Sequence, residues 1–145
     1  MLANAKTWNI CLTTLRRLDR WQLLAALAMP DHLHIIIAPA DRDASLSGFC
    51  RWFKRWFNQM RQQDCRASVS DADANRLRGV SPKRTTSSAK QWEWQEGCFD
   101  RLLRSDESVS DKWAYIRENP VRAALTANAE AWPYQFAFNS DNAKL

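Results

Sequence analysis

The chain has no apolar run long enough to span a bilayer. Its longest apolar stretch, Leu23 to Ala40, is broken by Asp31, His32 and His34, so it reads neither as a membrane span nor as the apolar part of a signal peptide. A cytoplasmic protein with no membrane partner is therefore expected. The four cysteines, Cys11, Cys50, Cys65 and Cys98, include no C-x-x-C pair, which removes the spacing of a zinc ribbon or a redox motif and leaves reduced, mostly structural thiols as the expectation. Three Gly and five Pro are too few for a collagen-like chain, and no internal repeat is visible. What remains has ordinary globular composition, 46% apolar and 26% charged in 145 residues. That is enough for one domain, residues 1–145, and too little for two.

Twenty-one Lys and Arg against sixteen Asp and Glu leave a formal charge of +5 and a pI near 9.3, a balance that favours an anionic partner. Eight tryptophans add to that. Basic side chains position phosphates while aromatic faces stack on exposed bases, the pairing that single-stranded nucleic acid requires; most tryptophans nevertheless serve cores.

Along the chain, Trp8, Cys11, Leu12, Leu15 and Leu18 recur at helical spacing, predicting a helix over Thr7 to Arg20. Trp21 to Ala38 is strongly apolar and ends in a β-branched run, with Pro30 inside it, so it reads as two strands around a kink at Met29-Pro30. A second helix is expected from Ser45 or Ser47 to about Gln63, burying Leu46, Phe49, Cys50, Phe53, Phe57 and Met60. Its other face carries Arg51, Trp52, Lys54, Arg55, Trp56, Asn58 and Arg61, either a solvated surface or a phosphate track. Asp64 to Lys90 is poor in bulky apolar residues and reads as a mobile loop whose basic end, Lys83, Arg84 and Lys90, suits phosphates or a plain solvated linker. Trp92 to Leu103 suggests one or two strands bent at Gly97. Ser105 then caps a helix with Asp106 and Glu107 in its first turn and Val109, Trp113 and Ile116 on its apolar stripe, ending or kinking at Asn119-Pro120. A further turn covers Val121 to Leu125, and Trp132-Pro133-Tyr134 packs the tail.

The only two histidines stand as His32-Leu33-His34. In a strand, the side-chain period of two points both imidazoles to one face, which is half a metal site or simply a hydrogen-bonded pair at a strand edge. Tyr115 and Asn119 lie at i and i+4 and emerge side by side from a helix. An amide oxygen there can serve as a third ligand to a hard divalent cation, and a phenol, a weak nucleophile alone, can attack an electrophile that the metal polarises. Read for packing alone, Tyr115 is a half-buried amphipathic side chain and Asn119 a helix cap.

The run Met29-Pro30-Asp31-His32-Leu33-His34-Ile35-Ile36 resembles the M-P-N-H-h-H-h-h signature (h, hydrophobic) of single-tyrosine HUH transposases. Tyr115 through Leu125 resembles their Y-I-x-x-N-P-V-R-A-G-L block. Within that family the likeness is greatest to the transposases associated with repetitive extragenic palindromic (REP) elements, for which Trp94-Gln95 through Phe99-Asp100, Leu103-Arg104-Ser105 and Trp132-Pro133-Tyr134 are also in register. The resemblance spans Trp21 to Tyr134. It implies an α+β, ferredoxin-like HUH fold with an antiparallel central sheet and helices on one face. It implies His32, His34 and Asn119 as ligands of Mg²⁺ or Mn²⁺ and Tyr115 as the nucleophile that cleaves single-stranded DNA through a 5′-phosphotyrosine, with strand transfer as the reverse step. The implied substrates are DNA hairpins of palindromic repeats. Phosphate contacts are expected from Arg51, Lys54, Arg55, Lys83, Arg84 and Arg122, with Trp52 or Trp56 stacking.

Asp31 stands where the family more often has Asn, and Ala124 where it has Gly. The residues before the histidine strand suffice for a helix but not for the strand that usually precedes it. A sheet without its first strand is thus expected, with an exposed edge that a second subunit could cover as a homodimer. Two other readings compete: a non-catalytic protein, domesticated or truncated, that grips DNA hairpins, and a small zinc protein using the two histidines and two cysteines.

Overall fold

The computed structural model describes residues 1–17, 19–73, 93–103 and 108–138, with residues 65–73 described by backbone alone. Its frame is the apolar hairpin. β1 (Trp21–Ala28) and β2 (Leu33–Pro39) pair antiparallel from Trp21 opposite Pro39 to Ala28 opposite Leu33. Met29 N–H donates to the His32 carbonyl at 2.9 Å and closes the turn that holds Pro30, where proline's missing N–H costs no ladder bond. A short β3 (Gln135–Ala137) pairs antiparallel with the other side of β1, giving the order β2-β1-β3. The architecture is α+β, with a three-stranded antiparallel sheet among the described residues. β3 follows the Trp132-Pro133-Tyr134 segment, and three residues are too few for a period of two to be legible.

A bulge decides which residues face which layer. The β1–β2 register shifts between Leu23 and Ala25, so Trp21 and Leu23 share a face with Ala26 and Ala28, while Leu24, Ala25 and Leu27 turn to the other. Against the first face pack α1 (Ala5–Leu15) and α2 (Leu46–Asp73), through Trp8, Cys11, Leu15, Phe49, Phe53 and the fully buried Phe57. Against the second pack α3 (Val109–Arg117) and Trp132, around Leu27, Met29, Ile36 and Ile116. Helices therefore cover both faces of the sheet, not one as expected. Side chains on both sides of β1 are apolar, and each side needs a cover.

Several boundaries differ from the sequence reading. Asn4 caps α1 by accepting the Thr7 N–H at 2.9 Å, and the helix stops at Leu15 rather than Arg20. The chain must turn there to enter β1, and Arg20 is held at that corner by Asp41 at 2.7 Å. α2 continues to Asp73, so the first ten residues of the expected Asp64–Lys90 loop are helical; Gln, Arg, Ala and Asp can extend a nucleated helix without apolar periodicity. Lys6 pairs with Asp64 at 2.8 Å across α1 and α2. The rest of that loop, with Lys83 and Arg84, lies outside the described residues.

Residues 93–103 form no strand. Trp94 is wedged edge-on against Phe53 and Phe57, with centroids 5.7 and 5.2 Å away, and Lys54 Nζ donates to the carbonyls of Gln95, at 2.8 Å, and Gly97. With the Gln95 and Gly97 carbonyls taken by Lys54, this part of the segment is tied to α2 rather than to a strand. The cap of α3 is Ser108, whose Oγ accepts from the N–H groups of Ser110 and Asp111 at 3.1 and 3.3 Å. The expected cap, Ser105, and Asp106 and Glu107 lie outside the described residues, and Val109 is exposed rather than part of the apolar stripe. Among the described residues no strand precedes α1, and no helix is long and apolar enough to cross a membrane.

Candidate functional site

The hairpin turn and the end of α3 meet on the second face of the sheet. There a cleft of about 420 Å³ is lined by Met29, His32, His34, Tyr115, Asn119, Arg122 and Ala123. α3 gives way at Glu118 to α4 (Asn119–Arg122), with Pro120 in its first turn. Glu118 keeps near-helical angles, φ −77° and ψ −9°, so Tyr115, Asn119 and Arg122 still line one wall at i, i+4 and i+7. His32 and His34 form the other, with ring centroids 4.8 Å apart and planes at 83°.

Three nitrogens converge in this cleft. His32 Nε2 lies 3.1 Å from His34 Nε2, and Asn119 Nδ2 lies 3.0 Å from the same His34 atom, across 85 residues of sequence. Asp31 Oδ1 stands 2.7 Å from His32 Nδ1; in the tautomer that carries its proton on Nδ1, the Nε2 lone pair turns inward. Asn119 donates to His34 Nε2, which leaves that atom as a lone pair too. Burial first, then the charges of His32 and Lys112, push His34 down to about 4, so at neutral pH it carries no proton to share with His32. The arrangement fits a divalent cation: two imidazole nitrogens, a carboxylate orienting one of them from behind, and an amide whose oxygen and nitrogen exchange by a half-turn of the side chain.

Tyr115 stands at the rim, 58% exposed. The Arg122 guanidinium lies 4.2 Å from the centroid of its ring and donates to its backbone carbonyl, and Lys112 Nζ lies 5.5 Å from the same ring. These cation–π contacts hold the phenol beside two positive charges. Tyr134, the other tyrosine, packs edge-on to Trp132 at 5.3 Å, and its carbonyl accepts the Ala28 N–H; it is part of the packing and does not line the cleft.

The structure thus brings His32, His34, Asn119, Tyr115 and Arg122 together. The basic residues of α2 lie elsewhere. Arg51, Lys54, Asn58 and Arg61 line a groove of about 760 Å³ against residues 93–98, on a helix that covers the opposite face of the sheet. Arg55 is exposed beside it. Trp52 and Trp56 do not line that groove: they tilt against each other at 6.2 Å on the flank towards α1, where Arg17 covers Trp56. Cys50 and Cys98 line the α2 groove and the histidines the other cleft, so a zinc site shared by the histidines and these cysteines does not form. Sequence reading missed Asp31 as a partner of His32 and Lys112 as a cover for Tyr115. Adjacency of Asp31 to the first histidine was the available signal for one, and the i, i+3 spacing for the other. Compared with known proteins, the chain matches no family model, no curated protein and no solved structure.

Proposed function

We propose that this chain is a metal-dependent single-strand DNA endonuclease and transesterase of the single-tyrosine HUH transposase type, acting on hairpins of palindromic repeats. The observation that carries this reading is the meeting of two histidine Nε2 atoms, the Asn119 amide and an exposed tyrosine in one cleft. The α+β architecture with its three-stranded antiparallel sheet is compatible with a ferredoxin-like HUH fold.

Mg²⁺ or Mn²⁺ held by His32, His34 and Asn119 would supply Lewis-acid polarisation of the scissile phosphodiester. Asp31 holds the tautomer of His32. Arg122 and Lys112 hold the Tyr115 ring and offer positive charge to a phosphate brought to it. The Tyr115 oxygen attacks phosphorus and loses its proton to water at the exposed rim; the bond from phosphorus to the 3′ oxygen breaks, and that oxygen takes up a proton as a 3′-hydroxyl. A 5′-phosphotyrosine results, whose phosphodiester energy drives rejoining to another 3′-hydroxyl without ATP.

The test is incubation with labelled single-stranded hairpins and Mg²⁺ or Mn²⁺, read on a denaturing gel. A covalent adduct in the wild type that is absent from Tyr115→Phe is expected. Shifted but uncut DNA would instead make the chain a hairpin-binding protein.

A further inference from the structure

The second cleft holds a pair of thiols that plays no part in the proposed reaction. Cys50 and Cys98, 48 residues apart in sequence, bring their Sγ atoms to 2.7 Å, inside van der Waals contact. Three features of the fold deliver them there. Gly97 takes φ +72°, a left-handed turn that glycine makes without a Cβ penalty. Lys54, one helical turn beyond Cys50, grips the carbonyls on either side of Glu96. Trp94 anchors the start of the segment against Phe53 and Phe57. The two thiols differ in access, Cys98 being exposed and Cys50 half-buried.

We propose that Cys50 and Cys98 form a thiol–disulfide site that reacts with low-molecular-weight disulfides and closes to an intramolecular bond, fastening residues 93–98 to α2 along the wall of the basic groove. Exposed Cys98 is the point of entry: its thiolate attacks one sulfur of the small disulfide, the S–S bond breaks, and one small thiol leaves. Cys50 then attacks Cys98 Sγ, gives up its proton to the second small thiolate, and the protein disulfide forms. Two protein thiols are oxidised and one small disulfide is reduced to two thiols, so electrons and protons balance. Burial and the neighbouring Cys98 push the Cys50 thiol up to about 12, which bars it from the first attack; its 2.7 Å approach to Cys98 Sγ is what lets it make the second, once Cys98 is engaged. Cys11 is buried in the first core and also pushed up to about 12 by desolvation; it is the built-in unreactive control.

The experiment exposes dilute reduced protein to oxidised glutathione, alkylates the remaining thiols and reads intact mass and peptide maps. The wild type is expected to lose the alkylatable thiols of Cys50 and Cys98 with two hydrogens, to carry no glutathione on either, and to give a Cys50–Cys98 cross-linked peptide with Cys11 alkylated after unfolding. Cys50→Ser is expected to retain one glutathione on Cys98, and Cys98→Ser to form no bond at Cys50. The oxidised wild type should melt at a higher temperature than the reduced form, and reductant should reverse the shift. A stable glutathione adduct on wild-type Cys98, a disulfide to another cysteine, a disulfide-linked dimer, or both thiols left reduced would each overturn the proposal.

Discussion

Asp31→Ala isolates the element of the site that has the least to do with folding. The Asp31 side chain is 85% exposed and reaches the cleft only through His32 Nδ1 at 2.7 Å, so its removal should leave stability within about 0.5 kcal/mol of wild type. Without the carboxylate, His32 is free to rotate and to place its proton on Nε2, which would point a donor where a lone pair is needed. Partners of this kind are worth roughly 10- to 100-fold in metal affinity, or about 1.4 to 2.7 kcal/mol. Exposure to solvent weakens the charge contribution, which puts the expected loss near the lower end, about tenfold. Mn²⁺ titration of the wild type, Asp31→Ala and Asp31→Asn, by calorimetry or from the resonance of free Mn²⁺, measures it. Asparagine keeps an acceptor oxygen and loses the charge, so its affinity should fall between the other two. Equal Mn²⁺ affinity for wild type and Asp31→Ala, or no Mn²⁺ binding by the wild type, would refute the reasoning.

Ala124 lies at φ +54°, where a Cβ costs about 1–2 kcal/mol. Ala124→Gly should remove that strain, and after the entropy that glycine adds to the unfolded chain, about 0.4–1 kcal/mol, thermal unfolding should show a net gain of between zero and about 1.6 kcal/mol. Ser108→Ala removes the acceptor for two N–H groups of α3 and should cost about 1 kcal/mol, with faster hydrogen exchange at Ser110 and Asp111 as the local signature. In metal-free protein the His34 imidazole should titrate near 4 by NMR. Its folded value lies below the ordinary 6.5, so between the two the unfolded chain binds the proton that the folded chain refuses. Stability should therefore fall as pH drops through that window and level off below it; denaturant unfolding across the window would show no such slope for His34→Asn.

The hairpin was legible because a dense apolar run with one interior proline admits few alternatives; of the two histidines read into a strand, His34 lies in β2 and His32 just before it in the turn, where the two rings still meet. Tyr115 and Asn119 came together by helical spacing even though the helix is interrupted at Glu118, since that residue keeps near-helical angles. Ala124 is instructive: where the resembling block has Gly, the backbone here is left-handed, so a substitution visible in sequence has a conformational reason visible only in structure. Other features were not legible. The strand alternation of β1 breaks at a bulge beside Leu24, and nothing in a run of Leu and Ala marks where. The polar end of α2 offers no periodicity, because its helix is carried by propensity and by continuation from a packed turn.

Local chemistry by itself determined which side chains share a face: the Tyr115–Asn119 pair and the apolar stripe of α2, each a matter of backbone period over a few residues. Only the tertiary structure decided what those faces meet. It set Asn119 on His34 across 85 residues, put the basic groove of α2 on the far side of the sheet from Tyr115, turned Trp52 and Trp56 away from that groove, and brought Cys98 against Cys50. The reason is that contacts between distant segments depend on layer order and strand register, which the packing of both faces of β1 settles together and which no short window of sequence contains.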